Sequence, residues 1–432
     1  MSTTVRPHRR VPLYGWLTSE AVSLTGTRVS MIAIPWFVLT TTGSATLTGV
    51  AAFAEMAPLV LLKALAGPLI DRIGARRVAI GADLGSAVVV GLIPLLHFTA
   101  HLSFPVLLGL VAVAGALRGP GDGAKHAMVP ALVEQGGVPT ERATGLHSAV
   151  ERTASMAGAA FAGVLVAMVG PTTALVVDAA SFVVSALLLG LSTRSLARPV
   201  PVDIDGDIDV DIDVDVTENA EPYLTRLREG WDFLRKDPLL LGISIMVAIT
   251  NLLDQAYAVV LVPVWAKETG GGAAAIGLLF AVFSGAAIVG AVIASAYAAR
   301  LPRYTVYLVT FLLCGAPRFV VLALEAPLWA VLGTAVVAGV SAGFINPVLG
   351  AVIFERIPSH LVGRVSALNT ALCWSLIPLG GLLGGLLIGG FGLTAALVAC
   401  GAAYFAATTL PALQPRWRNM DRRPEPVLVD AR

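Results

Sequence analysis

The sequence predicts an all-α polytopic membrane protein of twelve spanning helices arranged as two six-helix halves. Composition, the length of the apolar stretches and an internal repeat predict it. Hydrophobic residues make up 56% of the 432 positions and charged residues only 13%, with a mean hydropathy of +0.81, a balance that suits lipid as the main solvent. A bilayer core requires about 20 apolar residues per helix, and such stretches lie at 13–41, 46–70, 78–99, 104–121, 147–169, 172–193, 239–265, 275–299, 304–324, 328–348, 367–390 and 392–413. They are apolar on all sides and rich in Leu, Ala, Val and Gly, unlike the alternating strands of membrane barrels.

The repeat is read directly. ERATGLHSAV at 141–150 lies over GRVSALNTAL at 363–372, with Arg142 on Arg364, Leu146 on Leu368 and Ala149 on Ala371, an offset of 222 positions (from 142 to 364). The same offset carries Gly158 onto Gly380, Gly163 onto Gly385, Gly170 onto Gly392 and Leu175 onto Leu397. An offset of six helices makes the repeats parallel, related by an axis along the membrane normal. The expected organisation is a tail at 1–12, a six-helix half at 13–193, a linker at 194–238, a second half at 239–413 and a tail at 414–432.

In chain order, the first apolar run follows Arg6, Arg9 and Arg10 as a signal peptide would. It is too long for one, however, and a second span follows without a convincing cleavage site, so it is expected to remain as helix 1. The net charge of +1 decides nothing about partners, whereas the placement of basic residues does. Arg72, Arg76 and Arg77 follow helix 2, Arg142 follows helix 4, and Arg194 to Lys236 follow helix 6. Arg300 and Arg303 follow helix 8, Arg356 and Arg364 follow helix 10, and Arg416 to Arg432 close the chain, while the opposite loops hold only Lys267. The positive-inside rule then places both termini and the central linker in the cytoplasm, with the chain in a bacterial inner membrane. Pro35, Pro58, Pro263, Pro317, Pro347 and Pro378 are expected to bend the spans. Cys314, Cys373 and Cys400 lie in apolar spans with no CxxC spacing and read as packing residues.

The linker carries Asp203, Asp205, Asp207, Asp209, Asp211, Asp213 and Asp215 in alternation with apolar residues. Seven like charges on one face oppose a strand, and the stretch reads as a disordered tether, with a cation-binding or regulatory element as the alternative. YLTRLREGWDFLRKDP then reads as a surface amphipathic helix with Tyr223, Leu227, Trp231 and Leu234 on one face.

After helix 2 comes GPLIDRIGARR, containing Gly67, Asp71, Arg72, Gly74, Arg76 and Arg77. A carboxylate flanked by guanidinium groups in a short loop can pair across one face of a bundle in one conformation and release in another. A purely topogenic loop would need the arginines but not the Gly-Asp-Gly framework. This loop resembles the signature between helices 2 and 3 of the major facilitator superfamily, departing at Ala75, where a basic residue is common. GTRVSMIAIPWFVLTTTGSATLTGV, GPGDGAKHAMVPALV, VVDAASFVVSALLL and FERIPSHLVGRVSALNTA are similar to one branch of that family, the macrolide-efflux and enterobactin-efflux exporters. The stretch around helix 7, from LREGWDF to AAAIGLL, extends the likeness. The resemblance implies a major facilitator fold and secondary transport. Helix 5 departs from the Gly-Pro pair of many exporters, with Ala159 after Gly158.

Ionisable groups within spans point to function because each is costly in lipid unless paired or hydrated. Glu55 lies about nine residues into helix 2, near mid-membrane at about 1.5 Å per residue, and is the first candidate for proton coupling; Asp254, Asp178 and Glu20 follow. A carboxylate held away from water can take up a proton near neutral pH. The alternative for Glu55 is a static pair with Arg28 or Lys63, which with Arg318 are the expected cation partners. Asp83, Arg118, Glu151 and Arg152 are expected near helix ends, in gate pairs or snorkelling. Trp36, Tyr257, Trp374 and Asn346 are the candidates for contacting substrate, with interfacial anchoring as the alternative for the aromatics.

No GxxxxGK[ST] occurs, so an ion gradient rather than ATP is expected to drive transport. The six histidines show no HExxH spacing, no metal or cofactor site is expected, and the chain is not expected to be an enzyme; a membrane sensor or enzyme is a remote alternative. The expected function is proton-coupled export of a small amphiphilic compound such as a drug, antibiotic or siderophore, by alternating access. A proton-coupled nutrient importer is the alternative. A dense cluster of buried polar groups for a sugar or acid is lacking, which favours an apolar substrate. Partners are the substrate, protons and lipid, without nucleic acid, and the chain is expected to be a monomer.

Overall fold

The computed structural model describes residues 10–196, 223–297, 300–358 and 361–421. The Asp-rich stretch, with Arg6, Arg9 and the last eleven positions, lies outside the described residues. The first half comprises α1 (Val11–Thr42), α2 (Ala45–Leu65), α3 (Gly67–Ile73), α4 (Ala75–Phe98), α5 (Phe104–Ala127), α6 (Val129–Gly136) and α7 (Thr140–Ser192). After α8 (Tyr223–Lys236), the second half comprises α9 (Pro238–Ala256), a π-helical turn (Tyr257–Leu261), α10 (Val262–Glu268), α11 (Gly272–Tyr297), α12 (Arg303–Cys314), α13 (Ala316–Ala323), α14 (Leu328–Arg356), α15 (Val362–Trp374) and α16 (Ile377–Ala412). A 3-10 segment, Pro415–Asp421, ends the described chain.

Among the described residues, ten apolar helical stretches are long enough to cross a membrane. Two of them, in α7 and α16, hold two passes each, joined at Gly170 (φ 82°, ψ 162°) and Gly392 (φ 80°, ψ 170°). Twelve passes result, six in each half. The two joints are the glycines that the repeat superimposes, and both adopt a backbone region that residues with a Cβ scarcely enter.

Several boundaries differ from expectation. The fourth pass does not stop at 121: α5 continues to Ala127 because Lys125 finds buried partners there. The fifth begins at Thr140 rather than 147, and further along it Ser148, Glu151, Arg152 and Ser155 face a cleft. The ninth is split at Gly315, just ahead of Pro317, and the eleventh between Trp374 and Ile377, ahead of Pro378, where proline cannot continue the backbone ladder. In the seventh, the π-turn precedes Pro263, whose missing N–H and ring require a local rearrangement. On α8, Leu234 is buried and Trp231, one turn before it, is 41% exposed. Trp417, in the final 3-10 segment, is buried against Tyr307 of α12, with ring centroids 5.2 Å apart.

The halves meet most closely at the end remote from the basic loops. A Cβ on Gly49 of α2 would lie 2.2 Å from the Gly381 carbonyl oxygen of α16, and one on Gly163 of α7 would lie 2.4 Å from Gly277 Cα of α11. Glycine is required at these positions so that the helices can approach to backbone contact. Around them Leu39, Ala45, Ala52, Val259, Val260 and Val264 form an apolar plug drawn from both halves. Thr46 donates to the Gly385 carbonyl at 3.1 Å and Lys267 Nζ to the Leu39 carbonyl at 2.9 Å. Toward the basic end, a cleft of about 290 Å³ opens between Ser148, Glu151, Arg152 and Ser155 of α7 and residues of α11 and α14.

Candidate functional site

Beneath the apolar plug, Glu55 of α2 is 5% exposed and accepts a hydrogen bond from Arg118 Nη1 of α5 at 2.8 Å. Gly115, one turn before Arg118, makes this possible: a Cβ there would lie 2.0 Å from the Glu55 carbonyl oxygen. Glu55 also borders a small void shared with Gln255 and Val259 of the second half. The partner is therefore Arg118, and neither Arg28 nor Lys63 pairs with it. Arg118 does not snorkel: it lies inside the bundle. Arg28 instead donates to Ser155 at 2.7 Å. Lys63 lies 4.0 Å from Asp122, and its ammonium stands 4.9 Å from the Trp374 ring centroid, a contact that crosses between the halves.

Nearer the basic end, Lys125 is 3% exposed and lies 3.1 Å from Asp83 and 3.8 Å from Glu20. It also donates to Ser23 at 3.0 Å, while Ser185 donates to Asp83 at 2.6 Å. Asp83 is therefore not a helix-end group but part of a buried cluster of two carboxylates around one ammonium. Lys125 escaped sequence reasoning because it follows the expected end of helix 4; the signal was its GDGAK context, in which small residues let α5 continue against α4. Asp178 is fully buried and accepts from Ser30 and Ser181, and Gly26 leaves room for it: a Cβ there would lie 2.5 Å from its Oδ1. This is the setting of an acid that locks α1 to α7.

In the second half, Asp254 of α9 pairs with Arg318 of α13. The guanidinium is enclosed by three aromatic faces, with ring centroids 4.8 Å away at Tyr257, 5.2 Å at Phe319 and 5.3 Å at Tyr404. Of the substrate-contact candidates, Tyr257 lines a cavity beside this pair and Asn346 lines the cleft between the halves. Trp374 is partly exposed at the cross-half contact, whereas Trp36 packs against the plug.

The signature loop forms α3 and turns at Gly74 (φ 92°). Arg76 donates to Thr193 Oγ1 at 3.0 Å and to the Gly190 carbonyl at 2.7 Å, tying the loop to the end of α7 in its own half. Asp71, Arg72 and Arg77 are exposed, and among the described residues neither Asp71 nor Arg72 forms an ion pair with the second half. Glu151 and Arg152 face the cleft.

This arrangement is that of a transporter: two helical halves, a closed end, a cleft, and interior charges held between helices. Comparison with known proteins agrees. The chain is 28% identical over 426 residues to the multidrug efflux pump Tap of Mycobacterium tuberculosis, covering 98% of this chain and 97% of that one. It is 26% identical to the protein of the same name from Mycolicibacterium fortuitum, covering 99% and 100%. Its fold superimposes on the crystal structure of a bacterial homologue of the human lysosomal transporter Spinster, in an inward-facing and unoccupied conformation, with a TM-score of 0.72 at 14% identity, covering 97% and 99%. The family model of the Major Facilitator Superfamily matches residues 17–255 and 243–428, so the chain belongs to that superfamily and is a multi-pass membrane transporter, not an enzyme.

Proposed function

We propose that the protein is a proton-coupled exporter of small amphiphilic compounds in a bacterial inner membrane, with both termini in the cytoplasm. The observation that carries this reading is the Glu55–Arg118 pair, buried directly beneath the plug that separates the cleft from the opposite end. An ion pair inside a low-dielectric bundle is sensitive to neutralisation of one partner. Protonating Glu55 frees Arg118, and the rearrangement that follows falls on the helix that carries Gly49 into contact with Gly381. Proton uptake is thereby linked to opening of the plug. With the basic loops inside, the cleft faces the cytoplasm, where an exporter loads. The mycobacterial relatives' name, multidrug efflux pump, supports export. Asp71, Arg72 and the neighbouring loop act as the gate that pairs when the cleft closes.

A growth-inhibition panel of antibiotics and other amphiphiles in a pump-deficient host, with and without this chain, tests the reading. Resistance of at least fourfold to one or more compounds is expected. Uptake of a nutrient from the medium with no resistance to any compound would establish the importer instead.

A further inference from the structure

A partly open cavity lined wholly by residues of the second half lies beside the cleft between the halves. It has a volume of about 200 Å³ and is bounded by Asp254 of α9, Tyr257 and Ala258 of the π-turn, Phe280 and Phe283 of α11, and Arg318. Small residues of α14, Ala335 and Ala338, form its back wall. Phe283 lines the cleft as well, so its ring borders both spaces.

Its charges are unequally presented. The Arg318 side chain is 10% exposed and turned into its aromatic enclosure, while the Asp254 side chain remains 41% exposed. A molecule entering the cavity therefore meets the aromatic rings and the more exposed carboxylate, beside a guanidinium that is largely covered. Carboxylate and ring faces both attract a cation, and the rings and alanines accept a flat apolar body. The π-turn ahead of Pro263 sets Tyr257 into the wall, so the site is built by a backbone irregularity rather than left by loose packing.

We propose that this cavity binds an aromatic organic cation, its charge against Asp254 and its rings among Tyr257, Phe280 and Phe283, with Phe283 at the border with the cleft from which it arrives. The proposal rests on the export reading and names a substrate class for it. Asp254 is then a recognition group rather than a proton carrier.

The test uses the full chain in lipid nanodiscs, with empty nanodiscs subtracted, and three probes of one shape: the cation 1-methyl-4-phenylpyridinium, neutral 4-methylbiphenyl and the anion biphenyl-4-carboxylate. The cation is expected to bind at least tenfold more tightly than either of the others. Ala335→Leu, which fills the cavity and leaves the ion pair intact, is expected to weaken cation binding at least tenfold, and Asp254→Asn likewise, with Asp254→Glu retaining most of it. Should Asp254→Asn fail to fold, Ala335→Leu and Asp254→Glu carry the test. Equal affinity for the cation and the neutral probe, unchanged binding in Ala335→Leu, or no binding at all would overturn the proposal. A chain that confers resistance in the growth panel yet binds no such cation keeps the export reading and loses this one.

Discussion

Arg118 of α5 donates to Glu55 of α2 over 2.8 Å, in a part of the bundle where Glu55 is buried and Arg118 largely covered. Removing one partner of such a pair leaves the other buried and uncompensated, at a cost of about 3–5 kcal/mol. Arg118→Ala is accordingly expected to lower thermal stability in detergent strongly, and Arg118→Ala with Glu55→Gln to recover most of the loss. A double-variant cycle that is additive would show that the two side chains do not act as a pair.

The buried cluster at Lys125 gives a parallel expectation of opposite charge. Lys125→Met leaves Asp83 and Glu20 facing each other without their ammonium. Two buried carboxylates left without their cation cost about 3–5 kcal/mol, so Lys125→Met should lower thermal stability strongly and Lys125→Met with Asp83→Asn should recover much of the loss. Melting curves in detergent check this, and a double variant no more stable than Lys125→Met would show that the ammonium does not hold Asp83.

Gly170 and Gly392 share one backbone conformation, so they share one expected penalty. Replacing either by alanine places a Cβ in a region accessible essentially to glycine alone, costing about 1–3 kcal/mol. A Cβ added at either position would meet no other atom within 4 Å, so no steric cost is added to the conformational one. The two single variants should therefore lose similar stability in the same melt. Unequal losses would show that the repeats differ in how they turn.

Gly49→Val tests the plug. The new side chain collides with the Gly381 backbone, so the plugged arrangement is disfavoured and the population shifts toward one open at that end. Spin labels at Thr42 and Gly270, which lie at that end of opposite halves, should report a longer distance in the variant than in the wild type.

The twelve passes, the two halves and the turn glycines were legible in the sequence because lipid imposes length and apolarity, and because duplication leaves aligned glycines. Interior charges were legible as such for the same reason: each is conspicuous in an apolar stretch. Their pairings were not. Glu55 and Arg118 are 63 positions apart and meet only because α2 and α5 pack through Gly115. Lys125 was hidden by its place past the expected helix end, and Trp36 has the composition of a ligand contact but packs into the plug. The cavity beside Asp254 depends on a π-turn that no apolar periodicity announces.

Proton-driven export is tested most directly in inside-out vesicles with an acidic lumen. Wild-type protein should accumulate a compound identified by the growth panel, collapse of the pH gradient should release it, and Glu55→Gln should abolish gradient-driven accumulation while the protein stays folded. Full proton-driven accumulation by Glu55→Gln would contradict the coupling role given to that carboxylate.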